Sequence, residues 1–273
     1  MIAAASRVAG REDSMTRFAF TAFVTSGLLL AAGPGAYAQN KSCSTTMSGN
    51  VIHGNLVVPP DATCTLNGVT VDGNISVGTG ATLNVSSGSR IGGNIQASGC
   101  NFVSLFPGPI SIGGNVDINS CNGGQNGYQA APSGSPQPPS PGGGNPPGIT
   151  IGGNFVCENN AQACVISGGL IGGNARLSNN TAPAQVFSVT VNGNLSLDGN
   201  STNLAGGEVA VVVHSLIGGN VDVSNNSGPG DSIAGGNVIN GNLQCQANTP
   251  GVDDDNLSPN TVGGNKLGQC AGL

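Results

Sequence analysis

A five-residue phrase, Ile-Gly-Gly-Asn-Val, recurs along this chain and constrains the fold more than any other sequence feature. In each of ten copies an Ile or Val stands three places before the Asn, and in nine of them an apolar residue follows it directly. Eight of the nine intervals between successive Asn residues measure 19 to 26 residues, and the ninth measures 39. A repeat of this size predicts a stack of similar structural units. The ten residues are Asn55, Asn74, Asn94, Asn115, Asn154, Asn174, Asn194, Asn220, Asn242 and Asn265.

Apolar residues stand at odd distances from these Asn residues, at −3 in all ten copies and at +1 and +3 in all but the last, with more polar residues between them. Alternation with a period of two is typical of β-strands that bury one face. The spacing of three and four residues that a helix needs is absent. We therefore predict an all-β fold, a right-handed single-stranded parallel β-helix (solenoid) of about ten levels with roughly 20 residues each.

A run of antiparallel hairpins is the alternative, because Gly and Asn also form hairpin turns. Cys100 and Cys121 favour the stack, since each stands six places after the Asn of adjacent copies. Stacked strands lie about 4.8 Å apart, a separation that suits the Cα atoms of a disulfide. In a stack, each Asn amide can also bond the equivalent Asn one level above. We expect such a ladder through Asn74, Asn94, Asn115, Asn154, Asn174, Asn194, Asn220 and Asn242.

The N-terminus has the features of an export signal. Arg17 precedes an apolar run over 18–32, and the Ala-Tyr-Ala triplet at 36–38 has the small-x-small form of a cleavage site. An uncleaved anchor is the alternative, but the run is shorter than the roughly 20 apolar residues that span a bilayer. We predict a signal peptide over 1–38, with Met15 as an alternative start. The protein is then secreted or at the cell surface, extracellular or periplasmic, with no membrane span after signal removal.

The remaining residues, 39–273, are predicted to form one β-helix domain with one interruption. The interval of 39 residues contains seven Pro among Gly and Ser, within 122–148. Proline removes donors from a β-ladder, so we expect an extruded loop here instead of a strand. A tolerated insertion at a corner is the simpler interpretation, and a flexible lid or spacer is the functional one.

All eight cysteines follow the predicted signal peptide, and an even number in an exported chain implies disulfides. Zinc is the alternative, but no Cys-x-x-Cys pair occurs, and His53 and His214 are far apart in sequence. We therefore expect no metal site. Pairing between neighbours predicts the disulfides Cys43–Cys64, Cys100–Cys121, Cys157–Cys164 and Cys245–Cys270.

The composition excludes several classes of function. Charged residues make up 7% of the chain and its net charge is −6, so a basic nucleic-acid-binding surface is excluded. The Gly-Gly-Asn repeats do not precede helices, so they are turn chemistry and not phosphate-binding loops. We expect no cofactor. Asp253, Asp254 and Asp255 form an acidic run, but they lack the alternating spacing of a calcium loop, which favours a solvated segment.

Parallel β-helices often act on polysaccharides. Such catalysis would need carboxylates that share one outer face of the coil. Asp198 and Asp222 fall on adjacent predicted levels, and Arg176 lies within side-chain reach of Asp198. These three residues support an alternative function as a polysaccharide lyase or glycoside hydrolase. The chain has no Trp and 2 Tyr, so it lacks the aromatic platform that sugar-binding clefts usually have. Outward Asp residues that only keep the surface soluble are the simpler interpretation.

The C-terminal phrase over 238–245, Val-Ile-Asn-Gly-Asn-Leu-Gln-Cys, followed by Gly264-Asn265 and Cys270, resembles secreted bacterial repeat proteins. Those proteins carry tandem Gly-Asn-Leu-x-Cys units and are generally of uncharacterised function. The resemblance implies an extracellular β-helix and transfers no catalytic residue. Similarity to pectate-lyase-like helices is at the level of fold, which does not determine function.

The favoured function is therefore non-catalytic. We predict an exported surface or matrix protein, a rigid scaffold that disulfides hold together. It would present faces of Asn, Ser, Thr and Gly for adhesion, and its expected partners are an extracellular glycan or another copy of itself.

Overall fold

The computed structural model describes residues 40–86, 88–123, 126–129, 148–203 and 207–273. The predicted signal peptide and most of the predicted loop lie outside these ranges. Within them the chain forms 31 β-strands and no helix. In chain order they are β1 (Lys41–Ser42), β2 (Thr46–Ser48), β3 (Val51–Ile52), β4 (Leu56–Val58), β5 (Thr63–Asn67), β6 (Thr70–Val71), β7 (Ile75–Val77), β8 (Thr82–Ser86), β9 (Arg90–Ile91), β10 (Ile95–Ser98), β11 (Phe102–Leu105), β12 (Ile110–Ile112), β13 (Val116–Asn119), β14 (Asn126–Gln129), β15 (Ile149–Ile151), β16 (Phe155–Glu158), β17 (Cys164–Ser167), β18 (Leu170–Ile171), β19 (Ala175–Ser178), β20 (Ala184–Phe187), β21 (Thr190–Val191), β22 (Leu195–Asp198), β23 (Ala210–Val213), β24 (Leu216–Ile217), β25 (Val221–Ser224), β26 (Ser232–Gly235), β27 (Val238–Ile239), β28 (Leu243–Gln246), β29 (Val252–Asp253), β30 (Thr261–Val262) and β31 (Lys266–Gly268).

These strands form three parallel sheets, and each strand pairs with the strands three before and three after it. Sheet A runs β1, β4, β7 and so on to β31, sheet B runs β2 to β29, and sheet C runs β3 to β30. Three successive strands therefore make one turn of a coil, and each turn lies on the one before it. The predicted parallel β-helix of about ten turns is confirmed. The antiparallel alternative is wrong, because strands that follow each other in the chain lie in different sheets.

The repeated phrase forms the corner between sheets C and A. Its aliphatic residue at −3 ends a strand of sheet C, Gly-Gly-Asn makes the corner, and the residue at +1 begins a strand of sheet A. Equivalent positions pair in register, as Phe155 with Ala175 and Cys157 with Leu177. These +1 and +3 residues point inward and are at most 1% exposed. Stacked Val, Ile and Leu residues therefore form a narrow core along the coil.

The 39-residue interval between Asn115 and Asn154 contains one turn of the coil, not two. The structure differs from the sequence prediction here in one respect. Asn126–Gln129 forms β14, which pairs with β11 before it and β17 after it in sheet B. The prediction that all of 122–148 leaves the coil is therefore wrong at these four residues. They contain no Pro, and their place in sheet B keeps the ladder continuous between the turns on either side.

Four disulfides connect the coil, in the pairs expected from the sequence. Three of them join neighbouring turns, and the Cα atoms of Cys100 and Cys121 are 4.4 Å apart. Cys157–Cys164 instead joins β16 of sheet A to β17 of sheet B within one turn. None of the described segments forms a helix long and apolar enough to span a membrane.

Candidate functional site

A ladder of Asn side chains runs along the corner between sheets C and A, and we call it the outer ladder. The Oδ1 atom of each Asn accepts a hydrogen bond from the backbone N–H of the next Asn in the series, at 2.7–2.9 Å from Asn55 to Asn265. The amide-to-amide contacts expected from the sequence are longer, such as 3.3 Å from Asn174 Nδ2 to Asn154 Oδ1. The main bond of the outer ladder is therefore from backbone to side chain, and it points toward the C-terminus.

The outer ladder explains why Gly precedes each Asn of the repeat from Asn74 onward. A Cβ atom on Gly173 would lie 2.4 Å from Asn154 Oδ1, and the same contact recurs at the equivalent glycines. Real Cβ atoms do not approach an oxygen this closely, so the space above each Gly is already filled by the Asn of the preceding turn. Each Gly therefore leaves the space that the Asn side chain of the preceding turn occupies.

A second ladder, which we call the inner ladder, occupies the corner between sheets A and B. Its Asn residues are 0–4% exposed, and each Oδ1 accepts from the backbone N–H of the residue one turn earlier, at 2.8–3.1 Å. Each Nδ2 donates to a carbonyl of the preceding turn, as Asn200 does to Leu177 O at 3.0 Å. The inner ladder therefore points toward the N-terminus. Its members are Asn160, Asn180, Asn200, Asn226 and Asn248.

Gln269 ends the inner ladder. Its Oε1 accepts from the Asn248 backbone N–H at 3.0 Å, and its Nε2 donates to Asn248 O at 3.0 Å. A third, shorter ladder at the corner between sheets B and C joins Ser215, Asn237 and Asn260. Sequence reasoning missed both features. Asn237 and Asn260 each stand two places before the Ile or Val at −3, and that offset is the signal that could have revealed the third ladder.

The three residues of the catalytic alternative lie on sheet A but do not form one group. Arg176 Nη2 pairs with Glu158 Oε2 at 3.0 Å, and no ion pair between Arg176 and Asp198 is present among the described residues. Asp198 accepts from Asn225 Nδ2 at 2.8 Å, and Asp222 accepts from the Ser224 hydroxyl. The expectation that Arg176 reaches Asp198 is therefore wrong. The guanidinium instead pairs with Glu158 on the preceding turn, and Arg176 Nε donates to the Ser178 hydroxyl at 2.9 Å.

Sequence reasoning missed the polar group that does form on sheet A, which contains Asp117, Asn119, Glu158 and Arg176. Asn119 Nδ2 donates to Glu158 Oε1 at 3.0 Å, and the Asp117 Oδ1 atom is buried without a hydrogen bond to a described residue. Burial and the charge of Glu158 raise the pKa of the Asp117 carboxyl above its ordinary value. Asp117 therefore holds a proton more readily than an exposed carboxyl does, and acid–base cleavage of a glycosidic bond needs a second carboxyl nearby, which Glu158 supplies.

The two His residues singled out by the sequence lie in different surroundings: His53 is exposed, whereas His214 Nδ1 is buried without a hydrogen bond to a described residue. His53 Nδ1 lies 2.8 Å from Asp72 Oδ2, and both side chains are mostly exposed, so this pair contributes little stability. Partial burial and the charges of Asp255 and Asp253 raise the pKa of Glu208. Among the residues that the structure describes, no group of three or more His, Cys, Asp or Glu is placed to hold a metal ion.

The outer side of sheet C presents a different surface, which we call the neutral face. Over six successive turns its outward residues pair in register. The next three positions after the strand in each of these turns are Gly or Asn, ending in the Asn of the outer ladder, and none of them is charged. Leu216 and Val238 are each 45% exposed within this surface. The outward residues of the neutral face are Thr150, Leu170, Thr190, Leu216, Val238 and Thr261.

The neutral face is therefore regular, uncharged and of mixed methyl, hydroxyl and amide character, whereas the charged groups of this half of the coil lie mainly on sheets A and B.

Comparison of the chain with protein-family models, with curated proteins and with solved structures finds no match.

Proposed function

We propose that this chain is a non-catalytic structural protein of the cell exterior whose neutral face binds an uncharged, extended polysaccharide. The observation that carries the proposal is the alignment of six uncharged outward side chains along sheet C, in a chain of net charge −6. Four disulfides support a location in an oxidising compartment, and the predicted signal peptide and the resemblance to secreted bacterial repeat proteins favour export.

The chemistry of the neutral face suits a neutral sugar chain. Exposed methyl groups of Leu216 and Val238 can contact the apolar faces of sugar rings, while Thr hydroxyls and Asn amides can bond their hydroxyl groups. No charged group on this face would have to lose its water on binding, which favours an uncharged ligand. The absence of Trp makes each contact weak, so affinity depends on repetition along the coil.

The size of the neutral face argues against a second copy of this chain as its partner. Six turns at the strand spacing give a length of about 24 Å. With a width of roughly 10 Å, the surface covers about 250 Å², well below the ~800 Å² per partner of a stable protein interface. An extended polymer needs no larger area, because it can run along the coil and contact one turn after another.

Sedimentation with insoluble polysaccharides tests the proposal. We expect the protein to sediment with a neutral polysaccharide such as cellulose or chitin and not with acidic ones. Leu216→Glu places a charge in the middle of the face and should weaken binding about tenfold or more. Leu267→Glu is the matched control, because Leu267 is 42% exposed on sheet A. Absence of binding to every neutral polysaccharide, or equal loss in both variants, would reject the proposal.

Cleavage of polysaccharides is the second candidate, and the raised pKa of Asp117 beside Glu158 favours it. In this function Asp117 would donate a proton to the leaving oxygen and Glu158 would act as the nucleophile or base. The same incubations test it through release of new chain ends. Products that disappear in Glu158→Gln, but not in Asp222→Asn, would establish cleavage at this pair and displace the structural proposal.

A further inference from the structure

The chain contains five Asn–Gly steps, and one of them differs from the other four in its hydrogen bonding and exposure. They are Asn67–Gly68, Asn122–Gly123, Asn126–Gly127, Asn192–Gly193 and Asn240–Gly241. This dipeptide is the one most open to attack by a backbone nitrogen on the preceding side chain, because Gly has no Cβ to obstruct the approach. Whether the attack occurs depends on whether the glycine nitrogen is free.

Three of these steps have the glycine N–H fixed in the coil. Gly123 donates to Asn101 O at 2.7 Å, Gly193 to Gly173 O at 2.9 Å and Gly241 to Gly219 O at 3.0 Å. A nitrogen held in this way reaches its own Asn side chain only after the ladder opens locally. The fourth step has a buried Asn, since Asn126 is 1% exposed and its Oδ1 accepts from the Val103 N–H.

Among the residues that the structure describes, nothing gives Asn67–Gly68 either form of protection. Both residues are exposed at the end of β5, and the Gly68 N–H makes no hydrogen bond to any residue that the structure describes. The Ser86 hydroxyl, one turn later, lies against both Leu66 O, at 3.0 Å, and Asn67 Oδ1, and its single proton can be donated to either. A donor at this oxygen stabilises the negative charge that develops there when a nucleophile adds to the amide carbon.

We propose that Asn67 is a site of spontaneous deamidation in the folded protein, assisted by the Ser86 hydroxyl. The Gly68 nitrogen bonds to Asn67 Cγ and loses its proton, and the side-chain nitrogen leaves as ammonia, so that a succinimide ring forms. Water then adds to either carbonyl of the ring and opens it to aspartate or isoaspartate. The sequence uses no oxidant or reductant, and its co-reactant is water.

The product has a defined effect on the N-terminal end of the coil. Asn67 O accepts the Gly49 N–H at 2.9 Å, which holds the first turn on the second. Isoaspartate adds one methylene to the backbone at this residue and displaces that carbonyl. Both products add a negative charge, and isoaspartate also weakens the contact between β2 and β5.

Peptide mapping by mass spectrometry after incubation at mildly alkaline pH tests the site. In the native protein we expect Asn67 to convert at least about tenfold faster than Asn122, Asn192 or Asn240, because those steps require local opening. In the reduced, denatured chain all five steps should convert at similar rates, which serves as the control. Equal native rates at Asn67 and Asn192 would overturn the assignment.

Ser86→Ala tests the assistance. We expect slower conversion of Asn67 in the folded variant by a few-fold, with unchanged conversion at the other steps and in the denatured chain. A rate at Asn67 equal to that of the parent protein would overturn the part assigned to the hydroxyl. Deamidation does not depend on any ligand, so this result stands or fails separately from the binding of polysaccharide.

Discussion

The outer and inner ladders use the same residue and differ in direction, burial and steric surroundings. In the outer ladder each Asn bonds the turn that follows it, on an exposed corner where Gly leaves room for the side chain. In the inner ladder each Asn bonds the turn before it and is almost completely buried. The same residue at two corners therefore makes different bonds, and we expect exposure to decide how much those bonds stabilise the coil.

Burial affects the cost of removing an Asn because it decides whether water can replace the lost hydrogen bonds. If an outer Asn is removed, water can reach the freed backbone N–H of the next turn. If an inner Asn is removed, the freed groups stay buried without partners, and each costs about 1–3 kcal/mol. In both ladders an Asn is bonded to the turns before and after it, so the difference in cost is due to burial and not to the number of linked turns.

The largest expected effect is from Asn200→Ala compared with Asn174→Ala. Asn200 bonds Asn180, Asn226 and Leu177 O, so its loss should reduce the free energy of unfolding by about 3–5 kcal/mol. Asn174→Ala should cost about 1 kcal/mol or less, because its partners are exposed to water. Urea unfolding with the disulfides intact measures both values. Equal losses would show that exposure does not distinguish the two ladders.

A smaller effect is expected at the end of the inner ladder, where Gln269 is itself exposed. Gln269→Ala removes three hydrogen bonds to Asn248 and should cost about 1–2 kcal/mol, with faster amide hydrogen exchange in the last turn. Gln269→Glu keeps the acceptor and loses the donor, so an intermediate loss is the control. Exchange that quickens equally in every turn would argue against a local cap.

The smallest expected effect concerns charge outside the ladders. Burial and Glu158 raise the pKa of Asp117 above its ordinary value of 3.8, so the folded state binds the proton more tightly than the unfolded state. Stability should therefore rise as pH falls through the raised pKa, and the gain should be complete below 3.8. At neutral pH, Asp117→Asn should stabilise the protein by less than about 1 kcal/mol, since the group is partly exposed.

The gain from Asp117→Asn should disappear in strongly acidic solution, where the Asp117 carboxyl of the parent protein is already protonated in both the folded and the unfolded state. Unfolding by urea at neutral and acidic pH measures it. A variant that is less stable than the parent at neutral pH would contradict the assigned direction of the pKa shift.

Much of the fold followed from the sequence because a fixed period determines which residues share a column. The repeat placed Cys100 beside Cys121 and set the outer Asn residues in one file, since equal offsets in stacked turns must lie over one another. The alternation of apolar and polar residues also distinguished inward from outward positions. The interruption over 122–148 was predicted less well, because Pro content marks where a strand ends and does not reveal the four Pro-free residues of β14.

The candidate site was harder to predict, because it depends on diagonal contacts between turns. Arg176 has carboxylates on both neighbouring turns, and the sequence does not show that its side chain turns toward Glu158. The neutral face also required the strand pairing, since Thr150, Leu170 and Leu216 are unremarkable residues until they are seen in one line. The same holds for Gly68: the dipeptide itself does not show that its N–H has no hydrogen-bond partner among the described residues.

The sequence by itself determined the approximate number of turns, the inward columns on either side of the Gly-Asn corner and the disulfide partners, because each follows from the repeat or from pairing of neighbouring Cys residues. The tertiary structure alone decided the direction of each Asn ladder, the partner of Arg176, the extent of the neutral face and the protection of each Asn–Gly step. These depend on which way a side chain or an N–H points, and that direction is set by the neighbouring turn and not by the position in the repeat.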